Sequence, residues 1–139
     1  MGNFRTLLIW QKAMLLVTQT YNATKLFPKE EIFGLTSQIR RCAVSIPSNI
    51  AEGYGRKSNP EFIRFVNIAS GSLFELQTQI EIALNVGLLN EVDFKNLKTE
   101  WFYLAIKLAR IASNPEYTDS YHDLAGYAML LEKEHEHTN

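Results

Sequence analysis

The side chains best suited to touching a ligand lie between residues 38 and 64. Gln38, Arg41, Ser45, Ser48 and Glu52 recur at spacings of 3, 4, 3 and 4, which puts them on one side of a helix. Arg40 stands next to them. Arginines on such a face suit phosphate contacts. Just downstream, Gly53-Tyr54-Gly55-Arg56-Lys57-Ser58 combines glycines, two basic residues and a ring able to stack on a base. A nucleotide-cradling loop would need a strand before it. The pattern here is helical on both sides, so the segment reads as a basic turn. Arg64 follows within two helical turns. The candidate nucleic-acid contacts are therefore Arg40, Arg41, Tyr54, Arg56, Lys57 and Arg64. Two plainer readings stand beside this one. The polar face also fits a solvated surface or a contact between subunits, and the turn also fits a simple connector.

No other constellation points to catalysis. Cys42 falls in an apolar row with no His nearby, as expected of a buried, inert thiol. His122, His135 and His137 are all near the C-terminus, and the last two are two residues apart, so on a helix they diverge. No zinc-ligand spacing, paired carboxylates or Ser-His-Asp order occurs. The expectation is no catalytic residue, no metal and no cofactor. A single Cys excludes an internal disulfide and fits a reducing compartment.

The elements that must position these residues are helical. The chain of 139 residues corresponds to about one domain, and its 46% apolar content supports a core. Period 3.5–3.6 appears in four long stretches. The first spans about 4–25, with Leu7, Trp10, Met14, Val17 and Tyr21 as its main row and Ile9, Ala13 and Leu16 beside it. The second spans about 36–54, with Leu35, Ile39, Cys42, Ile46, Ile50 and Gly53. Thr36 or Ser37 is placed to cap it. Pro47 predicts a kink within one bent helix, and Gly53 and Gly55 predict its end. In the third, Ser58 and Glu61 form a capping box before Phe62, Phe65, Ala69, Leu73, Leu76, Ile80 and Ala83, and Gly87 is placed to stop it. The fourth follows Asn90 and carries Phe94, Leu97, Trp101, Leu104, Leu108 and Ile111. The predicted fold is all-α: an up-down antiparallel four-helix bundle over 1–113. Residues 114–139 form an extension with a short fifth helix on Tyr117, Tyr121, Leu124, Ala128 and Leu131, ending in a frayed polar tail.

Several helices carry more apolar residues than one buried stripe requires. Leu8, Ile9, Leu15, Ile63, Val66, Ile68, Phe74, Ile82, Phe102, Tyr103 and Ile106 are surplus, which predicts a homo-oligomer. Gly71, within Ala69-Ser70-Gly71-Ser72, predicts close packing against Ser45-Ile46-Pro47-Ser48. The net charge of -1 argues against a basic nucleic-acid binder. That total hides an asymmetry: residues 1–70 carry 9 basic and 4 acidic residues, whereas 71–139 carry 5 and 11.

WQKAMLLV, FGLTSQIRRCAVSIPSNIAEGYGR and EFIRFVNIASGSLFELQTQIEIA resemble the four-helix-bundle proteins named for intervening sequences in 23S rRNA. The resemblance spans about residues 5–112. It implies a bacterial protein that assembles as a ring-like homopentamer. It also implies a fold similar to the accessory protein of diversity-generating retroelements, a basic pentamer that binds nucleic acid and a reverse transcriptase. The family name records a gene location and implies no catalytic residue. The motif residues that map here are Gly34, Gln38, Arg40, Arg41, Pro47, Asn49, Glu52 and Gly53. Cys42 stands where Ala is more usual, and the acidic segment after Asn114 extends beyond the usual pattern. The expected partners are other copies of the chain, RNA or DNA, or a nucleic-acid enzyme. With no apolar run long enough to span a bilayer and no signal-peptide pattern, the expected location is the cytoplasm. The N-terminal MGNFRT formally matches a myristoylation pattern and reads as coincidence.

Overall fold

A computed structural model describes residues 3–114. Four helices follow one another: α1 (Leu8–Thr24), α2 (Leu35–Gly55), α3 (Asn59–Asn85) and α4 (Glu91–Ser113). Each packs on its neighbour in sequence, and α1 also packs on α4, closing an up-down bundle. There is no strand among the described residues. The expected fifth helix lies outside them.

The register is antiparallel and can be followed residue by residue between α2 and α3. Cys42 meets Glu75, Ser45 meets Ser72, and Gly53 meets Phe65. The core is one apolar cluster that includes Ile9, Leu16, Ile46, Leu73, Leu76 and Leu104.

Capping in α3 and α4 follows the sequence. The Ser58 hydroxyl accepts from the Glu61 N–H at 3.3 Å, and the Asn90 side chain accepts from the Asp93 N–H at 2.8 Å. Gly87 takes φ +80 after α3, where a side chain would be strained. The start of α2 departs from expectation. Neither Thr36 nor Ser37 caps it. Gly34 is the capping residue, and the Glu31 carboxylate accepts from the Leu35 N–H at 3.0 Å. A Cβ on Gly34 would sit 2.9 Å from that carboxylate, so the glycine leaves room for the contact.

α1 departs in a different way. Phe4–Thr6 forms a separate 3-10 turn capped by Asn3, and Leu7 is extended before the helix starts. The core row is Leu8, Ile9, Ala13 and Leu16, continued by Thr20 and Thr24. Met14 and Tyr21, from the expected main row, are exposed. The threonines can be buried because their hydroxyls donate to the carbonyls of Leu16 and Thr20, at 2.7 and 2.8 Å.

α2 runs as one helix through the buried Pro47. Proline cannot donate to the Ala43 carbonyl. Ser48 and Asn49 add side-chain donors on the next turns, to the Val44 and Ser45 carbonyls at 2.8 Å each. Asn49 also donates to the Ser45 hydroxyl, which is 2.8 Å from the Ser72 hydroxyl of α3. The small-residue segments of α2 and α3 therefore do meet, as the sequence suggests. The close approach, however, is at another glycine. Among the described residues, a Cβ on Gly71 would touch nothing within 4 Å, whereas one on Gly53 would lie 2.6 Å from the Phe65 Cβ. Gly53 thus sits inside α2 and does not end it. The chain leaves the helix at Gly55, and Lys57 reverses direction with φ 56.

Candidate nucleic-acid interface

Arg56 and Lys57 stand at the end of α2, and Arg64 lies in the second turn of α3. The short turn between the helices brings Arg56 and Arg64 onto one ring. Their guanidinium carbons lie 5.4 and 5.3 Å from the Phe65 centroid. Each also pairs with a carboxylate on its own helix: Arg56 with Glu52 at 2.8 Å, and Arg64 with Glu61 at 3.3 Å. Arg56 and Glu52 are 53% and 52% exposed, and solvated pairs of this kind contribute only about 0–1 kcal/mol. A phosphate can therefore displace the carboxylate at little cost. Tyr54, half-buried, precedes them in the last turn of α2.

Arg40 and Arg41 are elsewhere. At ~1.5 Å per residue they lie roughly 24 Å up α2 from Arg56. Arg40 ties α1 to α2: its Nε donates to the Thr24 hydroxyl at 2.9 Å, and its guanidinium stacks 4.5 Å from the Tyr21 centroid. Arg41 is exposed and makes no ion pair among the described residues. Gln38, Ser48 and Glu52 are exposed as well, while Ser45 is drawn into the α2–α3 seam. The six candidate contacts thus form two groups, with Tyr54, Arg56, Lys57 and Arg64 at the α2–α3 turn.

Sequence reasoning missed how the bundle collects charge. The antiparallel path brings the starts of α1 and α3 to the same end as the finishes of α2 and α4. Dividing each helix at its midpoint gives this end seven basic residues and two acidic ones, net +5. The opposite end has six basic and seven acidic, net -1. Lys12 of α1 feels the charge of Lys107, which is buried in α4 with its Nζ 5.9 Å from the Tyr103 centroid. Burial lowers the Lys12 pKa, partly restored by Glu100 and lowered further by Lys107.

Cys42 is half-buried, and its thiol lies 3.4 Å from a Glu75 carboxylate oxygen. Burial raises its pKa, and the Glu75 hydrogen bond and charge raise it further. A nucleophilic thiol needs the opposite shift. Glu75→Gln is therefore expected to lower the Cys42 pKa and speed its alkylation by iodoacetamide near pH 8. An unchanged rate would remove Glu75 as a cause. Among the described residues no group of His, Cys, Asp and Glu has a metal-binding arrangement.

A family model described as the 23S rRNA-intervening sequence protein matches residues 5–110. The chain belongs to that family. Its fold is also similar to a solved protein of unknown function from the S23 ribosomal protein family of Bacteroides thetaiotaomicron. The TM-score is 0.71 at 21% identity, covering 77% of this chain and 100% of the other. No protein with a curated description matches. The family's helical core thus contains both groups of arginines, and the match ends just before the acidic C-terminal residues. No described helix is long and apolar enough to cross a membrane.

Proposed function

We propose that this protein is a non-enzymatic, cytoplasmic, homopentameric bundle that binds RNA or DNA through its basic end. The observation that carries nucleic-acid binding is the convergence of Arg56 and Arg64 on Phe65, beside Lys57, in the half of the bundle with net +5. Assembly would repeat this cluster once per subunit. Phosphate contacts release counterions, so affinity must fall steeply with salt. Charge reversal at Arg56 and Arg64 together is expected to weaken binding at least about tenfold at low salt and to flatten the salt dependence. Fluorescence anisotropy with labelled single-stranded and duplex RNA and DNA measures both. Salt-independent binding, or none to any probe, overturns this reading.

Assembly is supported by the outer face of α3. Gly71 costs a helix about 1 kcal/mol relative to Ala, yet no described residue comes within 4 Å of where its Cβ would be. Ile68 and the 59%-exposed Phe74 lie one turn to either side. A second copy packing closely there explains both features. Gly71→Ala is expected to shift the light-scattering mass towards the 15.9 kDa monomer while leaving the bundle folded. A monomeric parent chain at micromolar concentration overturns assembly.

The opposite end of the bundle favours a second reading, a scaffold that docks a partner such as a nucleic-acid enzyme. Leu26 and Phe33, in the loop between α1 and α2, are 88% and 97% exposed, and Val86 and Val92 flank the other loop at that end. A stoichiometric protein partner that survives nuclease treatment would select this reading.

A further inference from the structure

The basic end is also where α4 finishes. Residues 115–139, which follow it, carry six carboxylates and one lysine, net -5. The described bundle, 3–114, carries 13 basic and 9 acidic residues, net +4. The overall charge of -1 is therefore a basic bundle joined to an acidic segment at the bundle's most basic end. We infer that the segment 115–139 docks on the basic end of its own chain and competes there with nucleic-acid phosphate.

Proximity favours this contact. Glu116, Asp119 and Asp123 fall within ten residues of the end of α4. An extended chain covers up to ~3.3–3.6 Å per residue, so these carboxylates reach Lys12 and the α2–α3 turn easily. The tether makes docking intramolecular, with a high effective concentration that needs no strong individual contact. The surface suits an acidic peptide. Among the described residues, the ion pairs of Arg56 and Arg64 are with the solvated Glu52 and Glu61 on their own helices. Lys12 is part-exposed nearby, whereas Lys107 is buried and adds only to the field, and a carboxylate arriving there would oppose the burial that lowers the Lys12 pKa. Arg5 and Arg110 complete the set of positive charges at this end.

Competition rests on the nucleic-acid reading above, whereas docking does not, and the test separates them. A zero-length carbodiimide joins a carboxylate to a lysine amine only when the two are in contact. Applied to the full chain at low salt, it is expected to link carboxylates of 116–136 to Lys57 and Lys12, and to link few to Lys25 and Lys29 at the opposite end. High salt should suppress these links. Links spread evenly over all lysines, or no links from the segment, overturn docking. In a sample mixed from light and heavy isotopes, links found only between copies overturn docking within one chain. The second arm uses a full-length variant in which Glu116, Glu132, Glu134 and Glu136 become Gln, and Asp119 and Asp123 become Asn. Its affinity for labelled RNA or DNA should rise by about tenfold or more at ~50 mM salt, and the gain should shrink as salt rises. Nucleic-acid binding with unchanged affinity overturns competition. If neither chain binds any nucleic acid, competition falls together with the nucleic-acid reading, and the crosslinks still decide docking.

Discussion

Gly53→Ala should destabilise the bundle even though alanine is the better helix former. The added Cβ would lie 2.6 Å from the Phe65 Cβ and 3.3 Å from both the Phe62 ring and the Phe65 Cγ. The nearest of these atoms is fixed to the α3 backbone, so no rotamer change relieves the clash. The two helices must separate, at the point where they pack most closely. Overpacking of this kind costs about 1–3 kcal/mol and outweighs the ~1 kcal/mol that alanine adds to helix propensity. A larger side chain such as Leu should prevent the native packing altogether. Urea unfolding followed by circular dichroism measures the change. Equal or greater stability for Gly53→Ala would mean that α2 and α3 are not held at this distance. Gly55 provides the control, because among the described residues a Cβ there meets nothing within 4 Å and Gly55→Ala carries no clash with α3.

Truncating Trp101 should cost more. Its ring is 5% exposed and meets Phe94 edge-on, with centroids 5.6 Å apart and planes at 76°. Trp101→Ala removes this contact and leaves a cavity beside Leu97 and Leu104, so about 3–5 kcal/mol of stability should be lost. Small domains are stable by about 5–15 kcal/mol, so this change alone brings the bundle near its unfolding threshold. Trp101→Phe keeps an edge-on ring pair and should lose less. A loss below about 1 kcal/mol for the alanine variant would show that α4 does not seal the core at this position. Trp10, half-buried against Phe4 near the start of α1, keeps a fluorescence signal in both variants.

These two residues differ in how readable they are from sequence. Trp101 stands in the unbroken apolar row of α4, and its burial follows from period alone. Gly53 also falls on an apolar row, but a glycine there reads equally as a helix end. Only the position of Phe65 on the neighbouring helix distinguishes a stop from a close crossing. The same limit explains α1. Thr20 and Thr24 count as polar in any period analysis, so the row they extend looks shorter than the one carrying Met14 and Tyr21. Burial of these threonines depends on bonds from their hydroxyls to carbonyls four residues back. The α2 cap cannot be read from the first residues of the helix, because Glu31, in the turn before it, accepts from the Leu35 N–H.

The candidate site shows the same division. That Arg56 and Lys57 stand in a basic turn between two helices was legible from the residues. That Arg64 joins Arg56 over one aromatic ring, and that Arg40 is held by Thr24 and Tyr21, was not, because each contact crosses between elements.

By itself, the sequence determined the helices, the caps of α3 and α4, the order of the bundle and the family, because propensity, capping and short connections act over a few residues. The tertiary structure decided which face of α1 is buried, which glycine admits a neighbouring helix, and where the charge goes. Read along the chain, charge divides into a basic first half and an acidic second half. Folding interleaves those halves as antiparallel neighbours and divides the bundle end to end instead. Residues near 5–15, 52–64 and 104–114 meet only once the helices have packed, so no local pattern records the basic end they form.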